Sequence, residues 1–317
     1  MKKIDVHAHA FPLPYVQALE KYFAENQNIR SNWVWNEDRF LSEMDRWGVD
    51  VQVLSLSHAY AHFENISFAT ELCRIVNDEY AEICARRPDR FRMFALIPLI
   101  DVERACEELE RVKHFTGFSG IALSTNIRER VLDDPAFEDF FEYANQSNTV
   151  IILHPLARTL PKEWNRYRLE HLIGLPVDTT FALSGLALGG FLDKYPNLRI
   201  VAAHVGGALP YLSPRIERAH KEGVAKHKPS YYFRRFYYDT SGPSHEEILA
   251  CVARMFGPER ILFGTDYPFG IGQEGMQYVE HAVWIVENSA LSEADKNRIF
   301  YENIAALLNA GASPNAF

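Results

Sequence analysis

Cysteine and long apolar runs are both scarce in this sequence, and each scarcity excludes a class of protein. Only 4 of the 317 residues are cysteine, and none belongs to a Cys-x-x-Cys pair. Scattered cysteines are typical of a reducing compartment, where disulfide frameworks do not persist. No run of about 18 apolar residues occurs, so we expect no membrane span. Because the first residues also lack the apolar core of a signal peptide, we predict a cytoplasmic protein.

An excess of positive charge is missing as well. The chain has 33 lysine and arginine residues against 42 aspartate and glutamate residues, which gives a net charge of −9. A general nucleic-acid-binding protein needs a basic face, so this composition argues against one. A local positive pocket for a small anionic molecule is still compatible with it. We therefore predict no nucleic-acid partner and leave an anionic small molecule open.

The chain also lacks features that would divide it. It contains no internal repeat, no low-complexity segment and no linker rich in proline, glycine or serine. Segments with strand character alternate with helical patterns along the whole length. Eight strands are predicted in this way, at residues 4–9, 51–56, 90–98, 118–123, 149–153, 197–203, 236–239 and 260–263. We therefore predict one domain over residues 1–317.

Eight alternating strands and helices predict a particular α/β architecture, a (β/α)8 TIM-type barrel. A doubly wound open sheet is the alternative. Such a sheet usually has a glycine-rich phosphate-binding turn after an early strand. Here the first strand ends in histidines instead, which favours the barrel.

Those histidines, His7 and His9, are two residues apart on a buried strand. Residues i and i+2 of a strand point to the same face, with Cα atoms about 6.5 Å apart. Two imidazoles at this spacing can converge on one metal ion. Taken alone, the pair is explained equally well by one histidine in the core and one exposed to solvent.

Three later strands also end in groups that can bind a metal. His154 follows the fifth predicted strand, His204 the sixth and Asp266 the eighth. Each has an ordinary explanation, as a solvated histidine or an aspartate in a turn. In a barrel, however, the carboxyl ends of all strands lie at the catalytic rim. The joint pattern predicts a metal site there.

The five side chains divide naturally between binding and catalysis. Three imidazoles and one carboxylate, from His7, His9, His154 and Asp266, can hold Zn²⁺ and leave a position open. His204 is then free for proton transfer, which a histidine performs well near neutral pH. In a hydrolytic reaction, either His204 or Asp266 would receive the proton.

The motifs of the chain resemble those of the amidohydrolase superfamily (amidohydrolase family 2). Within it, they are similar to the branch that includes α-amino-β-carboxymuconate-ε-semialdehyde decarboxylase. The resemblance covers nearly the whole chain and is carried by Ile4-Asp5-Val6-His7-Ala8-His9, His154-Pro155, His204-Val205-Gly206-Gly207 and Gly264-Thr265-Asp266-Tyr267-Pro268.

The resemblance implies the ligand set His7, His9, His154 and Asp266 around a single divalent metal. It implies zinc as the usual metal, with Mn²⁺ possible, and His204 as the acid/base beside a metal-bound water. Many members of the superfamily hold two metals bridged by a lysine at the end of strand four. This chain has Ser124-Thr125-Asn126 there and no lysine, which favours one metal.

The resemblance also implies a homodimer in which an arginine reaches into the partner's site. The matching residue is Arg215, although a surface or interface salt bridge explains it as well. Arg158 and Arg30 are further candidates for binding a substrate carboxylate, because guanidinium pairs with carboxylate in a bidentate way. The similar decarboxylase has a tryptophan directly after His-Pro, where this chain has Leu156, so the substrate is left open.

These residues support two enzymatic hypotheses. The first is a metal-dependent decarboxylase of a small unsaturated or aromatic carboxylic acid. The second is a metal-dependent hydrolase of a lactone, ester or amide, which would need the same metal centre. A non-catalytic protein with a structural zinc is a third and weaker interpretation, since such sites are usually rich in cysteine and close together in sequence.

Overall fold

A computed structural model describes residues 1–23, 33–56, 63–156, 166–242, 245–269 and 278–309. Its centre is a sheet of eight parallel strands in the order β1-β2-β3-β4-β7-β8-β9-β10. The strands are β1 (Ile4–His9), β2 (Val51–Ser55), β3 (Phe91–Leu96), β4 (Phe118–Ser124), β7 (Val150–His154), β8 (Arg199–Ala202), β9 (Tyr237–Asp239) and β10 (Ile261–Leu262). Strands β5 (Asn126–Ile127) and β6 (Arg130–Val131) form a separate antiparallel pair.

The two edges of the eight-stranded sheet meet, so that the sheet is a barrel. Val6 N donates a hydrogen bond to Phe263 O, and Asp266 N donates to His7 O, at 2.9 and 2.8 Å. His9 N donates to Tyr267 O. These bonds join β1 to the segment that follows β10. The barrel prediction is therefore confirmed, and the doubly wound alternative is wrong.

A buried carboxylate strengthens this junction. Asp5 on β1 accepts hydrogen bonds from the backbone and the hydroxyl of Thr265, at 3.0 and 2.6 Å, and from Gln52 Nε2 on β2 at 3.0 Å. Burial raises the pKa of Asp5 to about 6, although these hydrogen bonds act in the opposite direction. Asp5, two residues before His7, thus links β1 to β2 and to the segment that follows β10.

Helices surround the barrel. The α-helices are α1 (Leu13–Phe23), α2 (Glu37–Trp47), α3 (Ile66–Arg86), α4 (Val102–Val112), α5 (Glu138–Gln146), α6 (Leu175–Leu188), α7 (Phe191–Lys194), α8 (Leu209–Ile216), α9 (Arg218–Lys221), α10 (Pro229–Phe233), α11 (Glu246–Phe256), α12 (Tyr278–Asn288), α13 (Glu293–Asn297) and α14 (Asn303–Asn309). Within the described ranges, 3-10 turns (Pro135–Phe137, Arg166–Arg168, His204–Gly206 and Pro258–Arg260) and π-helical segments (Glu170–Gly174 and Arg298–Glu302) connect them.

The ends of α2 show how local sequence sets an element. Asn36 precedes the helix in an extended conformation, and its side chain accepts a hydrogen bond from Arg39 N. Gly48 follows the helix with φ of 66°, a left-handed conformation that suits glycine. Both end signals are visible in the sequence, and the helix begins and ends where they indicate.

The strands are buried on both faces. Every residue of β1 and β2 is buried, as parallel strands between a packed barrel interior and outer helices must be. The apolar core runs continuously from the strands into α3, α11 and the C-terminal helices. Such a packed scaffold holds side chains at the strand ends with little freedom to move.

The structure departs from the sequence expectations in two places. The short pair β5 and β6 is not predicted, because its turn uses Arg128 and Glu129 at positive φ instead of asparagine or glycine. Strands β8 and β10 are also shorter than predicted. His204 and Asp266 lie in the segments that follow these strands, as the sequence predicts.

One helical stretch, Arg166–Leu188, is long and apolar enough to cross a membrane by length and composition alone. It includes the π-helical segment Glu170–Gly174 and α6. In its most apolar stretch of 18 residues, 39% is buried in the protein. Core helices of soluble proteins share this composition. Several of its apolar side chains, including Phe181 and Leu172, are instead exposed. Its outer surface is therefore an unusually apolar patch.

Candidate metal centre

The barrel brings four side chains from distant parts of the chain together. His7, His9, His154 and Asp266 each offer a ligand atom, and these atoms all lie within 4.8 Å of one another. His7 Nε2 is 2.8 Å from His9 Nε2, and Asp266 Oδ1 is 3.3 and 3.1 Å from these two nitrogens. The predicted convergence of these four residues is thus what the structure shows.

Each histidine of this group is held through its other ring nitrogen. His7 Nδ1 lies 2.7 Å from the Asp239 carboxylate, and His154 Nδ1 lies 2.9 Å from Pro155 O. His9 Nδ1 lies 3.2 Å from the Ser55 hydroxyl. Metal-binding histidines usually hold Nδ1 in this way, which fixes the tautomer and turns Nε2 to the metal.

The donor set fits a divalent cation. Asp239 and Pro155 O accept hydrogen bonds, so the neutral forms of His7 and His154 carry their protons on Nδ1 and expose the lone pair of Nε2. These lone pairs face a third imidazole and the Asp266 carboxylate. Electron pairs that converge in this way need a positive charge between them. Donor atoms about 2.0–2.1 Å from a tetrahedral Zn²⁺ are about 3.3 Å apart, close to the distances found.

The electrostatic environment of the site supports the same assignment. Burial acts to lower the pKa of His7, but the carboxylates of Asp239, Asp266 and Asp5 raise it to about 9. This part of the site therefore favours a positive charge. Burial lowers the pKa of His9 to about 4. His9 is then neutral at physiological pH, as a metal ligand must be.

The remaining two ligands are held in their metal-binding forms as well. Burial lowers the pKa of His154 well below its usual value, so this imidazole is neutral. Burial acts to raise the pKa of Asp266, but hydrogen bonds from His204 and His9 and the nearby positive charge hold it well below its usual value. A bound divalent cation would replace the second proton of His7, and three neutral imidazoles and one carboxylate would then leave it with a net positive charge.

His204 stands at the edge of this group. Its Nε2 is 3.5 Å from Asp266 Oδ2, and its ring centre is 5.2 Å from that of His154. Its side chain is 15% exposed, whereas the His7 side chain is fully buried. A substrate that lies beside the ligands can therefore reach His204, as an acid/base requires.

The backbone at His204 and Asp266 is unusual. Both residues adopt positive φ, 55° and 62°, as does Val205 at 51°. Non-glycine residues in this region are strained, and such residues cluster at functional sites. The turn places the His204 ring against Gly242, where a Cβ atom would lie 3.2 Å from His204 Cδ2. Strain and close packing together set the direction of this ring.

Asp239 is a site residue that the sequence reasoning missed. It is fully buried at the end of β9. One carboxylate oxygen accepts from His7 Nδ1, and the other accepts from His204 N at 2.9 Å and from the Ser241 hydroxyl at 2.5 Å. Asp239 therefore connects His7, a candidate ligand, with His204, the predicted acid/base. The polar run Asp239-Thr240-Ser241 at the end of a predicted strand is a signal that could have identified it.

Of the three candidate arginines, Arg215 is among the residues that the structure describes. Arg215 lies on α8 and lines a groove of about 540 Å³ between α6 and α8. Among the described residues that line this groove, none is a member of the metal centre. The groove that contains Arg215 is therefore separate from the metal centre of the same chain. Arg30 and Arg158 lie outside the described residues, and their roles stay predictions.

Comparison with known proteins identifies the family. A sequence profile described as amidohydrolase matches residues 4–310. The chain belongs to the amidohydrolase family. The match spans all the strands of the barrel and all five residues of the candidate site, so the resemblance read from the motifs is confirmed.

Several characterised proteins are similar to this amidohydrolase over most of their length. The gamma-resorcylate decarboxylase of Polaromonas sp. is 31% identical, with 90% of this chain and 96% of that protein covered. The 2-amino-3-carboxymuconate-6-semialdehyde decarboxylase of Dictyostelium discoideum is 28% identical, with 86% and 83% covered. The crystal structure of a Polaromonas dihydroxybenzoic acid decarboxylase, with bound manganese and the inhibitor 2-nitroresorcinol, superimposes with a TM-score of 0.83 at 29% identity, covering 99% and 98%.

Proposed function

We propose that this amidohydrolase is a metal-dependent carboxy-lyase that removes CO2 from a small aromatic carboxylic acid. The observation that carries the proposal is the convergence of three imidazoles and the Asp266 carboxylate beside a partly exposed His204. The similar proteins support decarboxylation over hydrolysis, because both characterised relatives are named as decarboxylases of unsaturated or aromatic acids.

The residues have separate roles in this reaction. The cation, when bound, supplies positive charge that binds and polarises the oxygen atoms of the substrate. His204, protonated at Nε2, transfers its proton to the ring carbon that carries the carboxylate. The bond from this carbon to the carboxyl carbon then breaks, its electron pair restores the aromatic ring, and CO2 leaves. Asp266, 3.5 Å from His204 Nε2, keeps the imidazole in place and stabilises its charged form.

Aromatic side chains beside the ligands support a planar substrate. The Phe269 ring lies 4.9 Å from the His9 ring, and Trp33 meets Phe269 edge to face at 4.8 Å. Both Phe269 and Trp33 are only partly buried. Aromatic side chains bind planar rings by stacking and edge contacts. A benzoic acid held between the metal centre and these rings would have its carboxylate near the cation.

The metal itself is a separate part of the proposal. We propose Zn²⁺, because histidine nitrogens and carboxylate oxygens are both usual zinc ligands. Mn²⁺ is the alternative, since the similar Polaromonas structure contains manganese. Metal analysis of protein purified without added metal, followed by reconstitution of the apoprotein with each ion, separates the two.

Product analysis tests the proposed reaction. Incubation with 2,6-dihydroxybenzoate and related hydroxybenzoates is expected to release one CO2 per molecule consumed, because protonation of the ring carbon makes the carboxylate a leaving group. The measurement is CO2 evolution together with chromatography of the phenol product. Treatment with a chelator should abolish the release, and added metal should restore it. If lactones or esters open while no acid on the panel yields CO2, the protein is a hydrolase.

The apolar patch on α6 supports the predicted homodimer. Phe181 on α6 is 66% exposed and Tyr211 on α8 is 85% exposed, and the groove between the two helices contains Arg215. Exposed apolar surface of this kind usually marks an interaction site. We propose that a second copy of the chain covers this patch and that Arg215 reaches the partner's metal centre to bind the substrate carboxylate.

Light scattering tests the dimer. The wild-type protein is expected to have twice the chain mass of 36.4 kDa. Phe181→Glu is expected to give a single chain, because it places a charge in the apolar interface. Ile248→Glu on α11, also at an exposed apolar residue, is the control and should stay dimeric.

A mixing experiment tests whether Arg215 acts across the interface. The His204→Asn and Arg215→Gln variants should each be inactive as homodimers. After subunit exchange, the mixture should regain activity, because one site of each heterodimer has both residues intact. A mixture as inactive as its components would show that Arg215 does not act in the partner's site.

A further inference from the structure

Helix α6 is linked by hydrogen bonds to the chain segments that follow both His154 and His204. Its residues Asp178 and Thr180 are buried, although the same helix carries the exposed apolar patch on its outer surface. Neither residue belongs to the group of ligand atoms at the metal centre. Their hydrogen bonds nevertheless connect α6 to the two loops that carry site histidines, through one intermediate residue for Asp178 and directly for Thr180.

The first connection runs from Asp178 to the His154 loop through the end of β4. The Thr125 hydroxyl donates to Asp178 Oδ2. Because its proton is used in this bond, the Thr125 oxygen is available as an acceptor, and Leu156 N donates to it at 3.2 Å. Asn126 Nδ2 donates both to Asp178 Oδ2 at 3.2 Å and to Leu156 O at 2.9 Å. Both backbone groups of Leu156, two residues after His154, are thus held.

Thr125 also binds the other side of the loop. Its backbone N–H donates to His154 O at 3.1 Å. The residue therefore contacts the chain before and after Pro155, whose carbonyl in turn accepts from His154 Nδ1. A shift of Thr125 or Asp178 would move the carbonyl that fixes the His154 ring.

The second connection repeats the same arrangement at the His204 loop. The Thr180 hydroxyl donates to Pro176 O at 2.7 Å, and its oxygen accepts from Ala208 N at 2.8 Å. Gly207 lies so close to α6 that a Cβ atom there would be 2.1 Å from Pro176 O. The segment after His204 is thus fixed to α6 by one hydrogen bond and by direct contact.

We propose that Asp178 and Thr180 are positioning residues, and that α6 sets the relative placement of the metal ligand His154 and the acid/base His204. In both connections, a threonine hydroxyl donates a hydrogen bond to an acceptor on α6 and accepts one from a backbone N–H of a site loop. The consequence for catalysis at His204 rests on the proposed function, whereas the consequence for metal binding at His154 does not.

Three threonine-to-valine variants test the proposal, because valine keeps the shape and removes only the hydroxyl. Thr125→Val removes the acceptor of Leu156 N, and Thr180→Val removes the acceptor of Ala208 N. Thr179→Val is the matched control. Thr179 is a buried neighbour on the same helix whose hydroxyl donates to Leu175 O within α6.

Amide hydrogen exchange reports on the two loops without any substrate. Thr125→Val should speed exchange of the Leu156 amide about tenfold or more, and Thr180→Val should do the same for Ala208. Zn²⁺ affinity, measured by competition with a chromophoric chelator, should fall about tenfold in Thr125→Val, as for other residues that orient ligands. In Thr180→Val, Zn²⁺ affinity should stay within about twofold, while kcat falls about tenfold with little change in KM.

Thr125→Ser keeps the hydroxyl and should restore Zn²⁺ affinity, which a purely structural role of the methyl group would not explain. If Thr125→Val and Thr180→Val match Thr179→Val in exchange, Zn²⁺ affinity and kcat, the proposal is wrong. It is also wrong if both variants lose Zn²⁺ and kcat together and serine restores neither. If the wild type decarboxylates no acid, the proposed function fails, but the exchange and Zn²⁺ results still decide the positioning of His154.

Discussion

Replacement of His204 with asparagine is expected to lower kcat by about 1,000-fold or more and to leave the metal content unchanged. General acid/base groups contribute about 100- to 10,000-fold to rate. His204 is the partly exposed histidine beside the ligand group, and asparagine cannot deliver a proton to carbon. The four ligand atoms do not include His204, so the cation should stay bound. The measurements are single-turnover CO2 release and metal analysis of the same sample.

A second histidine provides the control for this substitution. His220 is partly buried and its Nδ1 lies 3.0 Å from Ala225 O, away from the ligand group. His220→Asn should keep nearly full activity. Retention of more than a tenth of the wild-type kcat by His204→Asn would assign the proton transfer to another residue. Loss of the metal from that variant would instead make His204 part of the metal site.

Replacement of Asp239 with asparagine is expected to weaken metal binding by about 10- to 100-fold. This magnitude is typical of carboxylates that orient a metal-binding histidine. The asparagine side chain has an NH2 group, which cannot accept a hydrogen bond, in place of one carboxylate oxygen. Either His7 Nδ1 or His204 N would therefore lose its acceptor. The catalytic rate of the metal-loaded variant should also fall, because the same carboxylate holds both residues.

Chelator competition measures this loss directly. Glu108→Gln on α4 is the control, since Glu108 is also a fully buried carboxylate but pairs with Arg111 and Asn77 instead. The control should bind the metal as tightly as the wild type. Equal affinities of Asp239→Asn and Glu108→Gln would show that Asp239 has no part in metal binding.

Much of the metal centre could be predicted from sequence because the barrel follows a simple rule. Strand periodicity shows where each strand ends, and all parallel strands of a barrel end at one rim. His7, His9 and His154 are the last or nearly last residues of their strands, and the structure brings them together. His9 and Asp266, which are 257 positions apart, become neighbours by the same rule.

The roles and backbone conformations of other site residues could not be predicted in this way. Asp239 ends a strand too, but an aspartate before threonine and serine is also a common turn pattern. Its role follows from two contacts, with His7 Nδ1 and His204 N, that only the folded chain shows. The positive φ of His204 and Asp266 is likewise set by tertiary packing and has no signature in residue type.

Long-range contacts of helices are also hidden in the sequence. The hydrogen bonds of Asp178 and Thr180 join a helix to two loops far along the chain, and nothing in the local pattern of α6 indicates them. The placement of Arg215 in an outer groove depends equally on how α6 and α8 pack. Sequence periodicity predicts elements and their order, whereas these features depend on packing between elements.

The most direct test of the shared metal site is a crystal structure of the metal-loaded protein with anomalous data collected at the metal absorption edge. We predict one anomalous peak per chain, about 2.0–2.2 Å from the Nε2 atoms of His7, His9 and His154 and from the Asp266 carboxylate. We also predict that His204 remains unbound beside the peak. A peak at another location, or a pair of peaks bridged at this rim, would contradict the single shared cation on which every proposed role depends.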